Sequence, residues 1–72
     1  MEKAFISGEY ITLGQLLKLS GAAQTGGQAK FMIADGRIRI NGSVVLQRGK
    51  KVFPGDIVDI DGKTIIEVEK EE

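Results

Sequence analysis

Lys30, Arg37, Arg39, Arg48, Lys50 and Lys51 crowd into one stretch of this chain, and Asp35 is the only acid among them. Fixed positive charge at that density suits a polyanion whose phosphates recur at short intervals. The cluster is hidden in the total. Ten Lys plus Arg balance ten Asp plus Glu, so the formal net charge is zero. The compensating acids, Asp56, Asp59, Asp61, Glu67, Glu69, Glu71 and Glu72, fall near the end, with only Lys63 and Lys70 between them. At physiological salt the Debye length is about 8 Å, so acids on another face would scarcely cancel a basic patch. For any single run of charge a solvated surface is the plainer reading. The density of this one argues for more.

Thr25-Gly26-Gly27-Gln28 opens a second candidate feature. A helix start offers unpaired backbone N–H groups and a partial positive charge, which together suit a phosphate. Gly26 and Gly27 place no side chain in the way of close approach, and Lys30 follows one turn later. The competing reading is that Thr25 caps a helix and the glycines permit tight packing. Gly21 to Gly26 has the glycine spacing of a nucleotide-binding loop, but Gly27 and Gln28 stand where that loop needs Lys and Ser or Thr. Asn41 reads first as a turn residue, and second as a strand-end amide able to reach a base or ribose edge.

Catalysis and metal chemistry find little support. The chain has no Cys and no His, which removes the thiolate nucleophile, the zinc knuckle and the usual neutral-pH base. Ser7, Ser20 and Ser43 lack a partner base. Asp56, Asp59 and Asp61 lack the glycine and terminal glutamate of a calcium loop. No catalytic residue, metal site, cofactor or small-molecule substrate is expected. The apolar runs are far shorter than the roughly 20 residues of a membrane span, and no basic-then-apolar leader opens the sequence. A cytoplasmic setting without a membrane partner is the expectation.

The elements that must position these residues follow from pattern. Seventy-two residues allow one small core, since a chain of this size hides only about 60% of the surface its unfolded form exposes. Thr12-Leu13-Gly14-Gln15 fits a capping box, and Leu13, Leu16 and Leu17 mark the buried side of a short helix ended by Ser20-Gly21. Thr25 to Gln28 fits a second box, whose helix buries Ala29, Met32 and Ile33 and closes at Gly36. Arg37-Ile38-Arg39-Ile40 alternates as a strand, with both arginines on one face. Asn41-Gly42 is a hairpin turn into a returning strand at Val44-Val45-Leu46. Pro54-Gly55-Asp56 turns into a strand at 57–60, and Asp61-Gly62 into another at 64–68. Ala4-Phe5-Ile6 offers an edge strand, and the acidic end, 67–72, is expected to fray. The aromatics Phe5, Tyr10, Phe31 and Phe53 show no spacing of a base-stacking platform. The fold class is α+β: two short helices packed on a small, mostly antiparallel sheet of about four to five strands, one domain over 1–72 with its core motif at 11–61.

Taken in order, these features resemble a known module. Thr12-Leu13-Gly14, Thr25-Gly26-Gly27-Gln28-Ala29, Gly36-Arg37-Ile38-Arg39-Ile40-Asn41-Gly42 and Gly55-Asp56 look like the four elements of the RNA-binding domain of the ribosomal protein S-four type, the alpha-L motif. In that family an Arg-Leu-Asp opening precedes a Ser-Arg-x-x-Ala helix start, a Gly-x-Val-x-Val-Asn-Gly strand and a Gly-Asp turn. The glycine pair and Arg48-Gly49-Lys50-Lys51 are similar to its short stand-alone bacterial subgroup. One departure matters: Gly26 occupies the family's helix-start arginine position, which shifts the load to backbone amides and Lys30. The resemblance implies a non-catalytic protein that binds structured RNA, with ribosomal RNA or an assembling ribosomal particle as partner. Its expected contacts are Thr25, Gly26, Gly27, Lys30, Arg37, Arg39, Asn41, Arg48, Lys50 and Lys51. The rival expectation is a protein-interaction adaptor that uses a sheet edge or the acidic C-terminus.

Overall fold

A computed structural model describes all residues from Met1 to Glu72. The chain runs β1 (Glu2–Ile6), β2 (Ile11–Thr12), α1 (Leu13–Leu19), α2 (Gly26–Ala34), β3 (Ile38–Ile40), β4 (Ser43–Val44), β5 (Lys51–Val52), β6 (Ile57–Ile60) and β7 (Thr64–Lys70). Five strands form one sheet in the order β1-β7-β6-β3-β4, while β2 and β5 pair in a separate two-stranded ribbon. Every pair is antiparallel except β1 with β7. The expected α+β architecture is the one observed.

Both helices start as their sequences dictate, with one difference. Thr12 and Gln15 exchange side-chain and backbone hydrogen bonds, a complete capping box. At α2 the Thr25 hydroxyl accepts the Gln28 N–H at 3.0 Å. The Gln28 amide, however, reaches past Thr25 to accept the N–H of Gln24 at 2.8 Å. The second box is thus open by one residue. Leu13, Leu16 and Leu17 of α1 and Ala29, Met32 and Ile33 of α2 are buried against Ile38, Ile40, Val58, Ile60, Ile66 and Val68 of the sheet. Every buried residue is apolar, and no buried polar atom lacks a partner.

Two hairpins set the sheet register. Asn41 (φ 51) with Gly42 (φ 88), and Asp61 (φ 58) with Gly62 (φ 70), supply the successive positive φ angles that tight hairpins between twisted strands require. Asn41 is held by more than its turn. Its Nδ2 donates to Asp56 Oδ1 at 3.0 Å, its Oδ1 accepts the Ile57 N–H at 2.9 Å, and its own N–H donates to the Ile57 carbonyl at 2.8 Å. The amide therefore stitches the β3–β4 hairpin to the turn before β6. Asp61 is bound by Arg37, whose Nε and Nη2 donate to the two carboxylate oxygens at 2.8 and 2.7 Å.

Three expectations need correction. The acidic end does not fray from 67: Glu67, Glu69 and Lys70 lie in β7, paired with Lys3, Phe5 and Ile6 of β1. Even Glu71 donates its N–H to the Ile6 carbonyl at 2.7 Å. The reason is the two-residue period, which buries Ile66 and Val68 and turns Glu67 and Glu69 outward. A run that looks like solvated charge is half of an amphipathic strand. The returning strand is also shorter than Val44 to Leu46: β4 ends at Val44, and Leu46 is exposed. Finally, the β2–β5 ribbon was not expected at all.

The core fixes where substitutions hurt. Leu17→Ala, at a fully buried position, should cost about 2–5 kcal/mol, enough to unfold much of so small a chain. Leu19→Ala, at an exposed one, should stay within roughly 0.5 kcal/mol. Urea titration of both variants checks the contrast. The Arg37–Asp61 pair adds a pH dependence. The hydrogen bonds from Arg37 and, after them, its charge hold the Asp61 carboxyl below the ordinary aspartate range. A depressed native pKa contributes stability that is full above the unfolded value and lost as pH falls through the native one. Asp61→Asn should therefore separate from the parent protein at neutral pH and converge with it in acid, as read from denaturation midpoints along a pH series.

Candidate nucleic-acid interface

The start of each helix presents amide hydrogens that the helix itself cannot satisfy. At α1 the chain supplies every acceptor. Leu13 N–H donates to the Lys50 carbonyl at 2.9 Å, Gly14 N–H to the Arg48 carbonyl at 3.0 Å, and Gln15 N–H to the Thr12 hydroxyl. The segment Arg48–Lys50 is thereby laid across the first turn of α1. The segment lies close against Gly14, where a Cβ would reach ordinary van der Waals contact with Arg48 Cβ and the Arg48 carbonyl oxygen at 3.5 Å.

At α2 the outcome differs. Gln28 N–H is capped by Thr25 and Ala29 N–H bonds the Thr25 carbonyl, whereas the amides of Gly26 and Gly27 have no acceptor in the protein. Neither glycine has a positive φ. A Cβ at Gly26 would meet nothing within 4 Å, and one at Gly27 only the Thr25 hydroxyl at 3.9 Å. The packing explanation for these glycines is therefore removed. Two residues of poor helix propensity occupy the first turn without any steric or conformational need for them.

Gly26 opens onto a cleft of about 270 Å³ between the two helices and the Arg48 segment. Gln15 and Lys18 line it from α1, Thr12 from the cap before that helix, Ala29 from α2, and Arg48 with Gly49 from the loop. Lys18 was not among the expected contacts. Its charge reads from sequence as one of a cancelling set, and only the packing of α1 beside α2 brings it to the cleft. Lys30 is exposed one turn along α2, and Lys50 and Lys51 continue the basic segment from Arg48 into β5. This side of the molecule carries positive charge with no acid among the residues lining the cleft.

Arg37 and Arg39 do not join that cleft. In β3 the buried Ile38 and Ile40 face the helices, which sends Arg39 to the opposite, helix-free face of the sheet. There it stands in register with Asp59 of β6. Arg37 is engaged by Asp61 in a two-point ion pair that raises its own pKa further. Two of the six expected cations thus stand beside acids, Asp59 on the neighbouring strand and Asp61 in the turn that follows it. Asn41 likewise spends its side chain on Asp56 and Ile57.

Sequence reasoning also missed a surface cluster at the β2–β5 ribbon. Ile11 pairs with Val52, so Tyr10 and Phe53 stand opposite one another just beyond it. Their ring centroids are 5.9 Å apart and inclined by 50°, and Lys51 Nζ sits 4.8 Å from the Tyr10 ring centre. The signal available was the alternation Tyr10-Ile11-Thr12 against Lys51-Val52-Phe53, too short to read as paired strands without the fold.

Comparison with known proteins agrees with this architecture. A family model described as the S4 domain matches residues 5–68. A Bacillus subtilis (strain 168) protein named as a probable ribosome maturation protein, RlbA, is 42% identical over 57 residues, covering 79% of this chain and 80% of that protein. The Escherichia coli (strain K12) protein YbcJ, whose name proposes RNA binding, is 34% identical over 56 residues, covering 78% and 80%. Among solved structures, the crystal structure of 30S ribosomal protein S4e from Thermoplasma acidophilum superposes with a TM-score of 0.60 at 18% identity. That alignment covers 90% of this chain and 40% of S4e, so the present fold corresponds to two fifths of the larger protein. With both helices and the strands from β2 to β6 all inside the matched region, the chain belongs to the S4 domain family.

Proposed function

We propose that this protein is a non-catalytic RNA-binding module acting on structured ribosomal RNA or an assembling ribosomal particle, and hence in the cytoplasm. In this reading an RNA phosphate enters the cleft at Gly26 and Gly27, where the free amides and the α2 dipole meet it. Lys18, Lys30, Arg48, Lys50 and Lys51 track the flanking backbone. Family membership supports the RNA partner, and the names of the Bacillus subtilis and Escherichia coli relatives point the same way. The single observation that carries the binding mode is the first turn of α2. Both glycines leave their amides unsatisfied, Gly26 lines the basic cleft, and no neighbour requires either to lack a side chain. Arg37, Arg39 and Asn41 serve the fold in this reading, and Thr25 serves as the cap that exposes the amides.

The glycines separate binding from stability by sign. Gly26→Ala and Gly27→Ala should each stabilise α2, by up to about 1 kcal/mol, and each should weaken RNA binding by crowding the amides. Thermal melts and filter binding on the same variants test this, and alanines that stabilise the protein while leaving affinity intact would remove the proposed mode. Salt provides the second test. Five cations on phosphate give a slope of log affinity against log salt of roughly −3.5 to −4.5, or about a hundredfold weakening or more between 50 and 200 mM. Lys50→Glu with Lys51→Glu should flatten that slope and lower affinity by more than tenfold, whereas Arg39→Ala should change it little.

A further inference from the structure

The β2–β5 ribbon places an aromatic surface next to the basic segment. Tyr10 is 42% exposed and Phe53 46% exposed, although each is anchored by a core neighbour in sequence: Val52 is fully buried and Ile11 packs against the core. On its other side Phe53 lines an open groove of about 480 Å³ that runs to the β3–β4 hairpin. Val44 and Val45 form the facing apolar wall, and Lys50 and Lys51 stand in the same groove.

The groove walls are fixed before any ligand arrives. Phe53 N–H donates to Asp56 Oδ2 at 2.8 Å, and Asp56 N–H donates back to the Phe53 carbonyl at 3.0 Å. The other oxygen of the same carboxylate holds Asn41 at the root of the opposite wall. One carboxylate thus spaces the aromatic wall from the hairpin, and its two oxygens are occupied in doing so. Exposed aromatic area on a fixed backbone next to ammonium groups matches one chemical class well. A nucleobase stacks on such a ring at about 1–3 kcal/mol per base, and its phosphate takes the cations. A lone apolar groove would not select such an occupant; the charge of Lys50 and Lys51 along it does.

We propose that this groove receives an unpaired nucleobase stacked on Phe53, with Lys50 and Lys51 on the adjoining phosphates and Tyr10 backing the ring. The inference rests on the RNA-binding reading and adds to it a preference for RNA with an extruded or single-stranded base, which a phosphate-only interface would lack. Tyr10 is positioned rather than offered as the stacking face, since the Lys51 ammonium already covers its ring.

The experiment compares two RNA hairpins that differ only in a single 2-aminopurine bulge, titrated with the full chain. The parent protein should bind the bulged hairpin on the order of tenfold more tightly and quench the 2-aminopurine emission beyond the free hairpin. Phe53→Ala and Phe53→Leu should abolish the preference and the quenching, leaving affinity for the perfect hairpin and the salt slope unchanged. The leucine variant keeps apolar bulk against Tyr10 and remains informative if the alanine variant is poorly folded by circular dichroism. Equal affinity for the two hairpins, or quenching that survives Phe53→Leu, overturns the inference while the RNA-binding reading stands. A parent protein that binds neither hairpin overturns both.

Discussion

Two backbone hydrogen bonds, from Leu13 N–H to the Lys50 carbonyl and from Gly14 N–H to the Arg48 carbonyl, hold the basic, helix side of this molecule together. A helix start must find acceptors for its first amides or leave them to solvent. Here α1 takes its acceptors from the only long connection in the second half of the chain. That choice fixes the segment 48–50 against a helix that is itself buried through Leu13, Leu16 and Leu17. Arg48 then lies beside α2, Lys51 enters β5 opposite Thr12, and Phe53 emerges opposite Tyr10. With its own acceptors spent on α1, the segment leaves the amides of Gly26 and Gly27 open at the neighbouring helix.

The same two-residue period that builds the sheet sorts the charges. Residues that alternate with Ile38, Val58, Ile66 and Val68 must point away from the helices. This rule sends Arg39 and Asp59 to the outer face, together with Lys3, Glu67 and Glu69. There acids and cations share one surface: Lys3 contacts Glu69 at 3.3 Å, while Arg39 forms no ion pair and Asp59 Oδ1 accepts the Gly62 N–H at 2.8 Å. Such exposed pairs contribute little stability, but they leave the outer face with no net basic character. Cations from α1, α2 and the 48–51 segment have no such partners, so the basic cluster of the sequence survives only on the helix side.

How much of this was legible follows from the range of each signal. The capping threonines, the Asn41-Gly42 and Asp61-Gly62 hairpins and the buried faces of both helices are local patterns, and they appear in the structure as the sequence implies, the open second box apart. The order of motifs likewise placed the chain in its family. What the sequence could not place were residues whose surroundings need a partner element. Arg37 looks like a free cation until the turn after β6 supplies Asp61, and Arg39 like part of the basic cluster until β3 turns it to the outer face beside Asp59. Glu67 and Glu69 look like a frayed tail until β1 pairs with β7. Lys18 looks inert until α2 lies beside it, and Tyr10 and Phe53, far apart in sequence, meet only because two dipeptides form a ribbon.

A molecule with zero net charge and sorted charges attracts RNA differently from a uniformly basic one. Its monopole exerts no long-range pull, and the field of its separated charges decays within a few Debye lengths. The attraction of its basic side for a polyanion therefore acts at close range. That places a premium on backbone already in position: amides fixed by the Thr25 cap, the Arg48 backbone fixed through its carbonyl, and the Phe53 backbone fixed by the Asp56 carboxylate. Each loses little conformational freedom on binding, so more of its interaction energy is retained as affinity. In a chain of 72 residues, whose core leaves little stability to spare, fixing the binding groups through the backbone bonds that also build the fold satisfies both demands at once.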